Sequence, residues 1–244
     1  RQALKTKSYV PPPKPPQPPP FPLDSMGLAS LLPADLVVLL RKALKKDIVT
    51  RVRTLESLLA WIQGKPVDEQ EVLSDEERSS ALLIMIPCWV HLFPRLALSP
   101  SQRLRYLTLQ VHKELLQLPD VREELTGAHN IEPILGFWAV LAHDTTRSVA
   151  RLALQLWKDS VSWEGSEQPP RVPLNEYTTT LLDHLRPILL TESASVALAH
   201  STASLQLSTS NEPHLDAKSR DETNVDESAD ELDARLVAGG LGAL

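Results

Sequence analysis

Six basic side chains crowd between positions 41 and 53: Arg41, Lys42, Lys45, Lys46, Arg51 and Arg53. Cationic groups at that density can displace counterions from a phosphate backbone, or pair with an acidic partner. The same residues also fit a solvated helix face, with Lys45 and Lys46 complementing the negative end of a helix dipole. The residues alone leave both readings open. Other constellations are weaker. Cys88 and His91 have a C-x-x-H spacing, but two ligands do not make a tetrahedral zinc site. Flanked by Ile86 and Trp89, Cys88 reads as a small core residue. His143-Asp144 reads as the end of a helix, a cap and a cation near the dipole, rather than a catalytic dyad. There is no glycine-rich phosphate loop, no GxSxG and no HExxH. No catalytic residue is assigned, and an enzyme with an unrecognised site is a remote third reading.

The elements that must position the basic cluster are helices. The chain has 244 residues, 42% apolar and 5% aromatic, with 8 Gly and 21 Pro. So few glycines argue against a sandwich or barrel, which needs many tight turns. One cysteine excludes a disulfide framework and any multi-cysteine zinc site, a RING included. Nothing resembles a signal peptide, and no apolar run reaches the ~18 residues of a spanning helix. The expectation is a soluble, intracellular, all-α protein. Because the chain opens on Arg1, and helical spacing continues to Leu244, it is expected to be a segment of something longer.

Nine prolines fall between Pro11 and Pro22, so residues 1–24 are expected to be a disordered polyproline II linker. PxxP spacings occur there, but Lys14 sits at neither usual flanking position of an SH3 or WW ligand. Residues 25–190 carry the helical domain. Leu36, Leu39, Leu40, Ala43 and Leu44 predict a helix over 34–46. Ile48, Val52, Leu55, Leu58, Leu59 and Ile62 predict another over 48–63, with Asp47 as N-cap and Gly64 and Pro66 closing it. Residues 67–78 read as a surface connection or a capping first turn. Further helices are expected over 81–98, kinked or shifted by Pro87 and Pro94, then over 102–118, 131–143, 145–161 and 174–190. A short turn is expected at 121–125, Pro133 in the first turn of its helix, and a proline-rich loop over 163–172. Trp89, Trp138 and Trp157 sit on apolar stripes and read as core.

Residues 191–227 lose periodicity and read as a disordered, acidic, Ser/Thr-rich loop. The stretch 191–244 holds ten acids and three bases, a net −7, whereas the rest of the chain is balanced at +1. Leu232, Leu236, Val237 and Leu241 then predict the start of a further helix over 228–244, weakened by Gly239, Gly240 and Gly242.

Three segments share one pattern: an apolar helix end, a capping residue, a short turn and a new apolar stripe. Their aliphatic markers Val52, Leu104 and Val149 lie 52 and 45 residues apart. HEAT-like helix pairs repeat at about 40–47 residues, and stack because each pair cannot bury its apolar face alone. The expected fold is a HEAT/armadillo-like α-solenoid of stacked helical hairpins, with a compact helical bundle as the alternative.

The run Pro33–Leu59 (PADLVVLLRKALKKDIVTRVRTLESLL) resembles the first helix pair of the listerins, ubiquitin ligases of ribosome-associated quality control. Met85–Leu116, which contains IPCWVHLFPRLALSPSQRLRYLTLQVHKEL, is similar to their second pair. Ile134–Val161, with Gly136-Phe137-Trp138 and Asp144, resembles the third. Ser8-Tyr9-Val10 before the prolines resembles the stretch that precedes the domain in fungal listerins. Ser99-Pro100 stands where the family often has an acidic turn, and Ala43 where it has a small polar residue.

The resemblance implies a non-catalytic N-terminal domain of a RING-type ubiquitin-protein ligase. It would dock on the large ribosomal subunit and its tRNA-binding factor, in the cytosol, with Arg41, Lys42, Lys45, Lys46, Arg51 and Arg53 as candidate contacts. It implies no cofactor in this segment, because the family's zinc-binding RING lies at the far C-terminus. The ubiquitin-conjugating enzyme would be reached only through that RING, and no membrane or DNA contact is implied. The rival is a generic HEAT-repeat scaffold for protein partners.

Overall fold

The computed structural model describes residues 21–65, 74–167, 170–190 and 227–244. Most of the expected proline-rich linker and nearly all of the expected acidic loop lie outside these residues. Within the span expected as linker, however, Pro22–Ser25 forms a helical turn, α1, and Leu23 is completely buried. A 3-10 turn follows at Leu28–Ser30. The remaining helices are α2 (Ala34–Ala43), α3 (Ile48–Ile62), α4 (Asp75–Ala97), α5 (Gln102–Gln117), α6 (Pro119–Thr126), α7 (Ala128–Ala142), α8 (Arg147–Ser160), α9 (Leu174–Leu190) and α10 (Ala229–Ala243).

Helix ends follow the chemistry of their sequence. Asp47 caps α3, and Ser74 and Ser228 form reciprocal capping boxes with Glu77 and Glu231 at the starts of α4 and α10. Gly64 ends α3 at φ 67°, where Lys65 N–H donates to the Ala60 carbonyl and Gly64 N–H to that of Trp61. This closure needs a left-handed residue, which glycine adopts without strain.

Several boundaries differ from expectation. Helix α2 stops at Ala43 instead of 46. Helix α4 starts at Asp75 instead of 81 and runs through Pro87 and Pro94. Pro133 lies inside α7 and not in its first turn, because the helix begins three residues earlier, at Ala128. The turn expected at 121–125 is a full eight-residue helix. The loop expected over 163–172 contains β-strands. Val161–Ser162 (β1) and Ser166–Glu167 (β2) flank Pro170–Pro173 (β3), β1 in parallel and β2 antiparallel to it. Residues Val161 and Val172 are paired and both buried, which places this small sheet against α6 and α8.

The helices pack as stacked hairpins in two rows. Helices α3, α5 and α8 form one, and α4, α7, α9 and α10 the other, with α2 packed on α3 and α6 wedged among α4, α5 and α7. The fold is an all-α stack of helical repeats. Where the rows meet, the Trp89 and His112 rings stack at 6.5 Å, and the Trp138 ring meets His112 edge-on at 4.7 Å. Trp89 Nε1 donates to His112 Nδ1 at 3.3 Å, and Trp138 Nε1 to the Ala153 carbonyl at 3.1 Å. Burial pushes His112 down to about 3, so it is a neutral core residue at physiological pH.

By length and composition alone α4 could cross a membrane, contrary to the expectation that no segment reaches that length. Its apolar residues, among them Leu82, Met85, Trp89 and Phe93, are instead committed to the core. The glycines of α10 have a packing reason. A Cβ at Gly239 would lie 2.8 Å from the Val140 carbonyl oxygen, so the small residue permits close approach to α7.

At the turn edge the rows are joined by a buried ionic cluster. Arg105, in the first turn of α5, is completely buried. Its Nε lies 2.9 Å from Asp144 Oδ2, and its Nη2 donates to Asp144 Oδ1 at 3.2 Å. Nη1 donates to the carbonyls of Ser99 and Pro100. Arg235 of α10 pairs with Glu227 at 2.9 Å and Asp144 at 3.4 Å, and Glu227 also reaches Arg105 at 3.3 Å. Asp144 is therefore not simply the cap that its place at a helix end suggests. It accepts from Thr146 N–H at 2.7 Å and serves two buried guanidiniums as well. Substituting Asp144→Ala leaves both without that partner, and is expected to cost about 3–5 kcal/mol in urea unfolding. A loss under about 1 kcal/mol, the scale of a surface pair, would show that the cluster is solvated.

Candidate partner-binding surface

The turn between α2 and α3 carries the basic cluster outward. Because α2 ends at Ala43, only Arg41 and Lys42 belong to it, and Lys45 and Lys46 lie in the turn. Arg51 and Arg53 sit in the first turns of α3. The apolar stripe of this helix pair, Leu36, Leu40, Val52, Leu55 and Leu58, faces the core, and Trp61 Nε1 donates to Asp35 Oδ2 at 2.6 Å across the pair. The charged positions between the stripe residues have no place but the surface.

The six residues do not stand alike. Arg41 donates to Asp24 Oδ1 of α1 at 2.9 Å, an exposed pair worth about 0–1 kcal/mol. Arg51 is half-buried, and its Nη2 donates to the Lys46 carbonyl at 3.1 Å, bracing the turn. Lys42, Lys45, Lys46 and Arg53 are exposed and make no salt bridge among the described residues.

Two apolar residues were not part of the expected site. Leu44 is 40% exposed and Val49 is 52% exposed, beside these cations. An apolar centre with a charged rim is the common composition of a protein contact surface. The signal for Val49 was available in the sequence, since it falls outside the Ile48–Val52–Leu55 stripe. The same layer carries more cations. Arg103 pairs with Glu56 of α3. Arg147 and Arg151 line a shallow cleft between α5 and α8 with Tyr106, Ser148 and Gln155. These single arginines gave no run that a sequence reading would detect.

Cys88 and His91 do not make a zinc site between them. Cys88 is the one cysteine of the sequence, and it is fully buried. Burial, and secondarily the charge of Asp24, pushes its thiol up to about 12, so it is a poor ligand and a poor nucleophile. Among the described residues no three metal-ligating side chains converge. The arrangement offers exposed cations on a braced turn.

Comparisons with known proteins bear on the family of the chain. A family model described as "E3 ubiquitin-protein ligase listerin, N-terminal domain" matches residues 29–203. The chain is 26% identical over 158 residues to the E3 ubiquitin-protein ligase listerin of Mus musculus, covering 64% of the chain and 8% of that protein. It is 29% identical over 127 residues to that of Neurospora crassa, covering 51% and 7%. To that of Gallus gallus it is 25% identical over 158 residues, covering 64% and 8%. The chain thus spans under a tenth of the length of these relatives. No solved structure matches.

The geometry of the turn rests on Asp47. Its carboxylate accepts from Thr50 N–H at 2.7 Å. Hydrogen bonds from Thr50, side chain first and backbone second, with Arg51 contributing, hold it below its ordinary value. Asp47→Ala is expected to cost about 1 kcal/mol at pH 7 in urea unfolding. The depressed folded value makes this contribution present at neutral pH and lost in acid. The difference from the parent chain should therefore shrink as pH falls below about 4. A difference that persists at low pH would contradict the capping role.

Proposed function

The chain belongs to the listerin family, as its N-terminal domain, and from that premise we propose that it is a docking domain for the large ribosomal subunit. The observation that carries the reading is the α2–α3 turn. The turn and the helix ends that flank it present four exposed cations without salt-bridge partners among the described residues, in a part of the chain whose overall charge is balanced. Phosphate-rich ribosomal RNA and the acidic patches of ribosome-bound proteins suit such a surface. The exposed Leu44 and Val49 suit a protein contact beside it, and the tRNA-binding factor of the quality-control complex is the proposed second partner.

In this reading the segment transfers nothing. The ligase that contains it would mark nascent chains stalled on large subunits in the cytosol. The zinc-binding RING, outside this segment, would engage the ubiquitin-conjugating enzyme. The docking domain contributes orientation: holding the ligase on the particle raises the effective concentration of its catalytic end near the nascent chain. Neither DNA nor a membrane enters this scheme.

The triple substitution Lys42→Glu, Lys45→Glu, Lys46→Glu tests it in co-sedimentation with purified large subunits. The parent chain is expected to sediment with large and not with small subunits. The variant should bind at least about tenfold more weakly, with a log K against log salt slope shallower by about two to three. Unchanged co-sedimentation across the salt series would overturn the assignment of the turn. Equal binding to both subunits would favour a generic scaffold.

A further inference from the structure

A mainly apolar groove of about 470 Å³, whose lining also includes Arg95 and Glu132, opens between α4, α7 and α9, in the row of helices that does not carry the basic turn. Val90 and Pro94 of α4, Pro133 and Phe137 of α7, and Leu181 of α9 form its walls, with Pro22 of α1 beside them. Val90 and Leu181 are half-buried, so part of their apolar surface remains uncovered. On the α9 side the His184 ring stands edge-on to Phe137 at 4.4 Å and lies against Gly136, where a Cβ would come within 2.3 Å of it. Burial pushes both His91 and His184, which also line the groove, down to about 4, so neither brings charge into it near neutral pH.

The chain itself leads to this groove. Phe21 packs its ring on that of His91 at 5.2 Å, and the next residue, Pro22, is part of the wall. The backbone of Phe21 has φ −66° and ψ 130°, near polyproline II values. Immediately before it stand residues 11–20, of which all but Lys14 and Gln17 are proline. We propose that this groove is the docking site of the chain's own proline-rich segment, residues 11–20, which enters it through Phe21 and Pro22.

Three physical points favour this occupant. Proline has no N–H, so in packing such a segment on an apolar wall only Lys14 and Gln17 bring backbone donors, and its carbonyls can stay in solvent. Its φ is already fixed, so little conformational entropy is lost on docking, which is why aromatic and proline-lined grooves recognise such segments. Reach suffices too: ten residues at ~3.1 Å each extend ~31 Å, against roughly 20 Å across three packed helices. The ribosome reading neither requires nor supplies this site.

The test uses a labelled peptide of residues 8–20, titrated by fluorescence anisotropy into the intact chain and into a chain lacking residues 1–20. Saturable binding is expected to the shortened chain. Binding to the intact chain should be at least about tenfold weaker, because a tethered copy competes at millimolar effective concentration. Leu181→Glu and Val90→Glu, each made in the shortened chain and checked by circular dichroism, should each weaken binding at least tenfold. No saturable binding to the shortened chain would overturn the proposal. So would binding that both folded variants retain. Equal binding to the two chains would show that the groove takes a proline-rich segment from another molecule, and would overturn the assignment to this one.

Discussion

A buried guanidinium must be answered, and most of the architecture can be read from how Arg105 is answered. Removing a charge from water costs several kcal/mol even in a relaxed protein interior. Arg105 meets that cost with Asp144 from the α7–α8 turn, the carbonyls of Ser99 and Pro100 from the α4–α5 turn, and Glu227 from before α10. Arg235 brings a second charge, and shares the same two carboxylates. Two cations and two anions leave the cluster neutral. Successive turns are thereby held at fixed spacing along one edge. The aromatic seam of Trp89, His112 and Trp138 fixes the middle of the stack in the same way, by filling it.

This dependence runs far along the chain. Arg105 needs Glu227 across a sequence gap that includes the whole third hairpin and α9. Helix α10 is therefore an integral part of the stack, even though its three glycines make it a weak helix on its own. Gly239 is the compensation, because its missing side chain lets α10 lie against the α7 backbone. Local propensity is poor there, and tertiary packing overrides it.

Much of this was legible in the sequence, for physical reasons. Helix α3 could be read because Asp47, the Ile48–Ile62 stripe and Gly64 are local signals that agree with one another. The family resemblance rested on ordered motifs, and its match over 29–203 agrees with them. The ionic cluster was not legible. Arg105, Asp144, Glu227 and Arg235 are ordinary charged residues until the fold brings them together. Asp144 was visible only in its local role at a helix end, and nothing in the sequence singles out Arg105. The small sheet was missed because its strands are two to four residues long, and prolines mark the region as loop. At the basic turn, the sequence shows six cations within one short stretch. It could not see that α2 stops at Ala43, or that Arg41 and Arg51 are engaged within the domain.

The molecule divides its labour between a rigid interior and a charged turn. The ionic cluster and the aromatic seam hold the helices, and Asp47 and Arg51 brace the turn that they carry. In the proposed docking, Lys42, Lys45, Lys46 and Arg53 would meet a partner from a backbone that is already ordered. A structure of this chain bound to purified large ribosomal subunits tests the account most directly. The account predicts the α2–α3 turn in contact with the particle, its lysines within reach of RNA phosphate or acidic side chains. A bound complex in which that turn faces solvent, with another surface making the contact, would contradict it.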